Sequence, residues 1–179
     1  MMSPGKLEGI LGENIIDACN QVSNDKSVVA PVNFNAPGQI VIAGNLEAVE
    51  KANKVCKEMG AKRALMLPVS VPSHCILMKP AAEKMILELD KVEFFKPKIP
   101  VIQNYDCKSH FEIADIKQSL IKQLYNPVRW IETIEVLASY GVNSIVEMGP
   151  GKVLTGLNKR IAKELNSYAV NDLASMNSL

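Results

Sequence analysis

Aromatic residues make up only 5% of this 179-residue chain, and its formal net charge at pH 7 is only +1. Few rings mean few platforms on which bases could stack, and a near-neutral balance removes the electrostatic basis for nucleic-acid binding. No nucleic-acid partner is expected. No apolar run approaches the ~20 residues that span a bilayer. The start, Met1-Met2-Ser3-Pro4-Gly5-Lys6, lacks the apolar stretch of a signal peptide, so no membrane partner is expected either. Four cysteines (Cys19, Cys56, Cys75, Cys107) lie far apart without paired spacing. That pattern fits reduced thiols and a cytoplasmic location better than a disulfide framework. Also missing is any Gly-x-Ser-x-Gly pentapeptide, the turn that exposes a nucleophilic serine in α/β hydrolases.

The 47% of hydrophobic residues suits a globular α/β chain of one ordinary domain or two small ones. Leu7 to Leu11 reads as a strand closed by Gly12. Glu13 to Val22 is a helix with Ile15, Ile16, Cys19 and Val22 at helical spacing. Val28 to Asn33 and Gln39 to Ala43 are strands joined through Ala36-Pro37-Gly38-Gln39, a type II turn signal. Leu46 to Met59 is a second helix stopped by Gly60, and Arg63 to Leu67 is a fourth strand. The order βαββαβ is that of a ferredoxin-like split βαβ unit over residues 1–68.

From Pro68 the pattern changes. A helix is expected over Cys75 to Lys91 and a strand over Val101 to Asn104. Helices follow at Ile113 to Tyr125, ended by Asn126-Pro127, and at Trp130 to Tyr140. Strand Ser144 to Met148 turns through Gly149-Pro150-Gly151 into helix Val153 to Leu165, and strand Tyr168 to Val170 precedes a polar tail. Alternating strands and helices over residues 69–179 predict a parallel sheet of three strands, thin for a sheet covered on both faces.

His74 follows Ser73, a candidate N-cap, and so falls in the first turn of the Cys75 helix. There the helix dipole disfavours imidazolium, and a neutral imidazole suits a general base. The alternative is a partly buried structural histidine. Cys75 is its neighbour but not a partner, since consecutive helical residues do not face each other. Cys107-Lys108-Ser109-His110 has a gap that could suit a metal, but it lacks the second ligand pair of a structural site, and no metal is expected. Gly149-Pro150-Gly151-Lys152 is neither a dinucleotide fingerprint nor a P-loop, and reads as a tight strand-to-helix turn. Lys62-Arg63 and Lys159-Arg160 are solvated dyads that could dock an acidic partner.

Four tracts together resemble the malonyl-CoA:acyl carrier protein transacylases. They are Pro31-Val32-Asn33-Phe34-Asn35-Ala36-Pro37-Gly38-Gln39, Val69-Ser70-Val71-Pro72-Ser73-His74, Gln123-Leu124-Tyr125-Asn126-Pro127-Val128-Arg129-Trp130 and Gly149-Pro150-Gly151-Lys152-Val153-Leu154. They occur in that family's order and at its approximate spacing. The resemblance implies a cytoplasmic acyltransferase (S-malonyltransferase) of fatty acid biosynthesis. Its substrates are malonyl-CoA and phosphopantetheinylated acyl carrier protein, with no bound cofactor. It makes His74 the general base and acid, and Gln123 the position whose main-chain carbonyl orients the imidazole. Asn33 and Asn35 match the small subdomain's edge of the cleft. The acidic carrier protein gives Lys62, Arg63, Lys159 and Arg160 a partner, with the two dyads on either side of the cleft mouth. Residues 69–179 become an incomplete α/β-hydrolase-like subdomain.

The chain departs from the family where the nucleophile should be. The half that carries the serine, the oxyanion-hole amides and the arginine for the malonate carboxylate has no counterpart here, and Met1 to Lys6 does not resemble the family. A truncated transacylase, inactive alone and completed by a chain carrying the nucleophile, is the leading expectation. The alternative is a non-catalytic module that binds carrier protein or a complementary acyltransferase half. In either case the strands at Val101, Ser144 and Tyr168 should leave an apolar face uncovered.

Overall fold

A computed structural model describes residues 2–177. The strands β1 (Met2–Glu8), β2 (Val29–Ala36), β3 (Gln39–Asn45) and β4 (Arg63–Met66) form one antiparallel sheet in the order β2-β3-β1-β4. Helices α1 (Gly12–Val22) and α2 (Leu46–Glu58) cross between them, the split βαβ order expected. The β2–β3 turn carries Gly38 at φ 70°, the left-handed conformation a type II turn requires. Leu7, Ile15, Ala18, Cys19, Ile40, Ile42, Val49, Ala52 and Cys56 fill the core between sheet and helices. Burial pushes the Cys19 thiol up to about 12, helped by Cys56 and Cys75, and the Cys56 thiol up to about 11. All four cysteines are free.

β1 starts well before the expected Leu7 and ends at Glu8. Serine, proline and glycine in Met2–Glu8 hide it, because each is depleted in strands. Pro4 is tolerated because its backbone faces the end of β4: its carbonyl accepts from Leu67 N at 3.0 Å, and its missing N–H is not needed by β3. Gly5 is close-packed, since a Cβ there would lie 3.0 Å from Val49 and 3.1 Å from Asn53.

The second face of the sheet, away from α1 and α2, is covered by chain from beyond β4. Val32 and Ala43 pack there with Cys75, flanked by Val28, Val41 and Leu77. The expected Cys75 helix begins later. Cys75 is extended, Ile76–Met78 forms a single 3-10 turn, and α3 runs Lys79–Leu89, with Pro80 in its opening turn where a missing N–H costs nothing.

Then come α4 (Ile113–Lys122), α5 (Trp130–Ser139), β5 (Ser144–Met148), α6 (Val153–Ile161), β6 (Asn166–Val170) and α7 (Leu173–Met176). The parallel sheet has two strands, β5 and β6, rather than three. The expected strand at Val101 to Asn104 is instead one arm of a closed loop. Ile102 bridges Ser109, and Gln103 N donates to Lys108 O at 2.9 Å, so that backbone is already engaged. Part of the expected polar tail is helical, started by an Asp172–Ser175 capping box. Ile134, Ala162 and Leu165 form the core of this portion, with Trp130, Leu137, Ala138, Ile145 and Ile161 against them.

Candidate active site

The end of α4 organises the site. Asn126-Pro127 forbids another turn, so the last helical carbonyls lack intrahelical donors. Three find partners outside the helix. Asn126 Nδ2 donates to Lys122 O at 2.8 Å, His74 Nδ1 to Gln123 O at 2.7 Å, and His74 N to Leu124 O at 3.0 Å. A carbonyl oxygen can only accept, so the ring proton sits on Nδ1 and the lone pair of the neutral imidazole on Nε2.

The tract that delivers His74 is pinned from both sides. Pro72 is fully buried, Cys75 N donates to Pro72 O at 3.1 Å, and the Cys75 side chain packs under the antiparallel sheet. Between them His74 takes φ 65°, a left-handed conformation rare outside glycine. The expectation that His74 lies in the first turn of a helix is therefore corrected. α3 starts at Lys79, and the dipole end that meets the imidazole is the negative, carboxyl-terminal end of α4. Cys75 does not act as a nucleophile beside it, because burial pushes its thiol up despite hydrogen bonds from Leu77 and Ile76.

Past Pro127 the chain is stitched to the open edge of β2. Val128 N donates to Val32 O at 2.8 Å, and Phe34 N to Val128 O at 2.9 Å, which pairs Val128 with Asn33. This clamp brings Asn33 to the segment that holds His74. Asn35 lies two residues on, at the second irregularity of β2, and both asparagines are half-buried.

Gly149 and Gly151 have φ of 156° and 145° in the turn from β5 to α6. The amino end of α6 is already filled by a carboxylate of this chain. Glu147 Oε1 accepts from Leu154 N at 3.1 Å, and Oε2 accepts from Thr155 N at 2.7 Å and Thr155 Oγ1 at 2.8 Å. Burial works to raise the Glu147 carboxyl, but the hydrogen bonds from Thr155 and Leu154 hold it below its ordinary range. The turn thus positions a strand and a helix, and the Leu154 and Thr155 amides behind it are already taken. An acid just before Gly-Pro-Gly and a threonine soon after were the available sequence signals.

Cys107 and His110 are not brought together as ligands. The Cys107 thiol lies 3.6 Å from both Arg129 O and Thr133 Oγ1, whereas His110 Nε2 pairs with Asp106 Oδ2 at 2.8 Å. Among the described residues no group of three or more His, Cys, Asp or Glu could hold a metal. The Asp106–His110 pair went unread, although its i,i+4 spacing was visible.

One residue of each basic dyad lies beside the antiparallel sheet. Gln39, Glu8 and Arg63 lie side by side across β3, β1 and β4. Arg160, on α6, donates to Gln39 Oε1 and, at 3.0 Å, to Pro37 O of the hairpin. Lys6 holds the Glu8 carboxyl below its usual range by a hydrogen bond; burial opposes this, and the charges of Lys6, Arg63 and Arg160 add to it. Arg63 and Arg160 thus gather at one end of the sheet. Arg160 anchors the hairpin while remaining, like Lys62 and Lys159, exposed. A cavity of about 510 Å³ lies between α2 and β4, lined by Glu50, Asn53, Lys54, Lys57, Ala64 and Met66, none of them a residue singled out from the sequence.

No protein-family model matches the chain. It is 51% identical over 177 residues to the malonyl CoA-acyl carrier protein transacylase of Salmonella typhimurium, covering 97% of this chain and 57% of that one. The transacylase of Bacillus subtilis is 45% identical over 171 residues, 54% of its length. The backbone superposes on an acyl carrier protein S-malonyltransferase from Vibrio cholerae with a TM-score of 0.96 and 53% identity, over 99% of this chain and 57% of that one. It matches equally well, at TM-score 0.96 and 51% identity, a malonyl-transacylase in complex with a type II polyketide synthase acyl-carrier protein. The chain is homologous to these transacylases and spans about half the length of the curated relatives it matches. Among its described residues, no helix is long and apolar enough to cross a membrane.

Proposed function

We propose that this chain supplies the histidine-bearing portion of a malonyl-CoA:acyl carrier protein transacylase of fatty acid biosynthesis. The observation that carries the reading is the 2.7 Å bond from His74 Nδ1 to Gln123 O, which leaves Nε2 as the proton acceptor. In this reading the antiparallel unit, residues 1–68, is the small subdomain. Residues 69–179 are part of an α/β-hydrolase-like large subdomain, and the unmatched portion of the transacylase sequence brings the serine.

His74 Nε2 takes the serine proton as the hydroxyl attacks the malonyl thioester, then gives it to the departing CoA sulfur. In the second half-reaction it takes the proton of the carrier's phosphopantetheine thiol, which attacks the malonyl ester, and returns it to the serine oxygen. Nδ1–H donates to Gln123 O throughout, so the ring keeps its aim while its charge changes. Asn33, clamped beside Val128, lines the substrate side with Asn35. Lys62, Arg63, Lys159 and Arg160 form the basic end that meets the acidic carrier protein. A second reading, a non-catalytic module that binds carrier protein, draws support from the missing Gly-x-Ser-x-Gly.

The test is malonyl transfer to carrier protein by the chain alone and with the unmatched portion of the Salmonella typhimurium relative. The chain alone should give no turnover and no malonyl ester by mass spectrometry. The pair should be active, and His74→Ala should lower its rate by about 10²–10⁴-fold. An active pair indifferent to that substitution would remove His74 from the chemistry and leave the binding module.

A further inference from the structure

The antiparallel sheet ends differently at its two edges. Val128 pairs with β2 and closes that side, whereas among the described residues no strand or isolated bridge lies along the outer side of β4. Leu67 N donates to Pro4 O, and bonded positions alternate along an antiparallel pair, so Leu65 and Arg63 also turn their backbone toward β1. The N–H and C=O groups of Ala64 and Met66 therefore face outward. Their side chains point to the α2 side of the sheet, since Ala64 sits opposite Leu7 of the core. Arg63 and Leu65 point to the other side, so the α2 side of β4 is separate from the basic end formed by Arg63 and Arg160.

Between that edge and α2 lies the cavity of about 510 Å³, and its lining is asymmetric. Lys57, in the last turn of α2, and Lys54 are exposed, and among the described residues neither has an ion pair. Asn53 is only 8% exposed. It spends Nδ2 on a weak acceptor, Met66 Sδ, at 3.1 Å, and its Oδ1 has no partner. The chain reverses at Gly60 between α2 and β4, so Lys57 lies toward Ala64, and Asn53 and Glu50 lie toward Met66.

We propose that the edge of β4 and the groove beside α2 form a peptide-binding site for an extended, acidic segment that adds as an antiparallel strand. The open backbone groups select an extended chain, and the unpaired lysines select its charge. The segment exchanges hydrogen bonds with Ala64 and Met66, and its residues opposite those two send their side chains into the groove. An antiparallel strand meets Met66 first. The residue there is apolar, because it lies against the thioether and beside Glu50, which repels an acid. Two positions on, opposite Ala64, an aspartate or glutamate meets Lys57 and Lys54. The recognised pattern is thus apolar-x-acidic. This site lies on the face of the sheet away from Cys75 and is independent of the proposed acyl transfer.

The probe is a Thr-Ile-Thr-Glu-Thr peptide, capped at both ends and titrated onto the chain, with amide exchange and sedimentation as readouts. With free peptide at about ten times its Kd, exchange at Ala64 and Met66 should slow about tenfold. Methylating the isoleucine nitrogen should abolish binding, because that N–H faces Met66 O. Lysine in place of the peptide's glutamate should weaken binding about tenfold, and so should Lys54→Glu with Lys57→Glu in the protein. Combining the two charge reversals should restore affinity. Circular dichroism checks that the double variant keeps its fold, and the peptide substitutions stand without it.

No protection of Ala64 and Met66 at millimolar peptide would overturn the proposal, as would equal binding of the methylated or the lysine peptide. Self-association through β4 that the peptide does not displace would also overturn it, by making a second copy the occupant. Protection of the same amides by acyl carrier protein but not by the peptide would overturn it too, by making a folded acidic domain the occupant.

Discussion

Glu147 links the parallel ladder to the helix behind it, and its contribution follows from its three bonds. The carboxylate accepts from Leu154 N, Thr155 N and Thr155 Oγ1 at 3.1, 2.7 and 2.8 Å. Glu147→Gln keeps the volume, but one acceptor oxygen becomes an NH₂ that confronts donors. A hydrogen bond to a charged group contributes about 1.5–3 kcal/mol, and leaving donors unpaired costs more. Glu147 is only half-buried, however, so water screens part of this, and a loss of about 1–2 kcal/mol is expected. For a chain of this size that lowers Tm by about 2–4 °C per kcal/mol. The hydrogen bonds hold the folded carboxyl below its unfolded value, so the stabilisation is present above the unfolded pKa. It is lost as pH falls through the folded pKa. Melts of both proteins should therefore differ at neutral pH and converge in acid, with faster amide exchange at Leu154 and Thr155 in the variant. A difference that persists below the carboxylate range, or unchanged exchange at those amides, would refute the reasoning.

Nitrogen-15 spectra of the isolated chain should find neutral His74 protonated on Nδ1, and a resonance pattern with the proton on Nε2 would remove the proposed base. Carrier protein should bind weakly at low salt, with Arg63→Ser reducing association and its salt dependence. Arg160→Ser should do the same and in addition quicken exchange at Gly38 and Gln39, because it frees the hairpin. Titrations indifferent to salt and to both changes would leave these residues as ordinary surface charge.

Periodicity located most elements because their side chains face one core. α1 and α2 expose one face and bury the other, and the β2–β3 hairpin carries its turn signal in Pro37-Gly38. The misses come from backbone that obeys tertiary rather than local preference. Met2–Glu8 is a strand in spite of its serine, proline and glycine, because β3 and β4 flank it and only a glycine at position 5 lets α2 approach. Val101 to Asn104 has strand-like residues but spends its hydrogen bonds on Lys108 and Arg129. Neither outcome is encoded within the segment itself.

The site divides in the same way. The motifs around His74 and Gln123 were legible as residues, and so was the reason for a free carbonyl, since Asn126-Pro127 must end α4. The direction of the helix dipole at His74 was not, because it depends on a left-handed residue and a contact 49 positions away. That contact depends in turn on the edge of the small sheet. Val128 is held by Val32 and Phe34, and Cys75 by Val32 and Ala43, so both segments that aim the imidazole rest on β2 and β3. A disturbance of β2 would therefore move the His74 imidazole and Asn33 together. The antiparallel unit thus sets the aim of the His74 imidazole, although His74 and Gln123 both lie outside it.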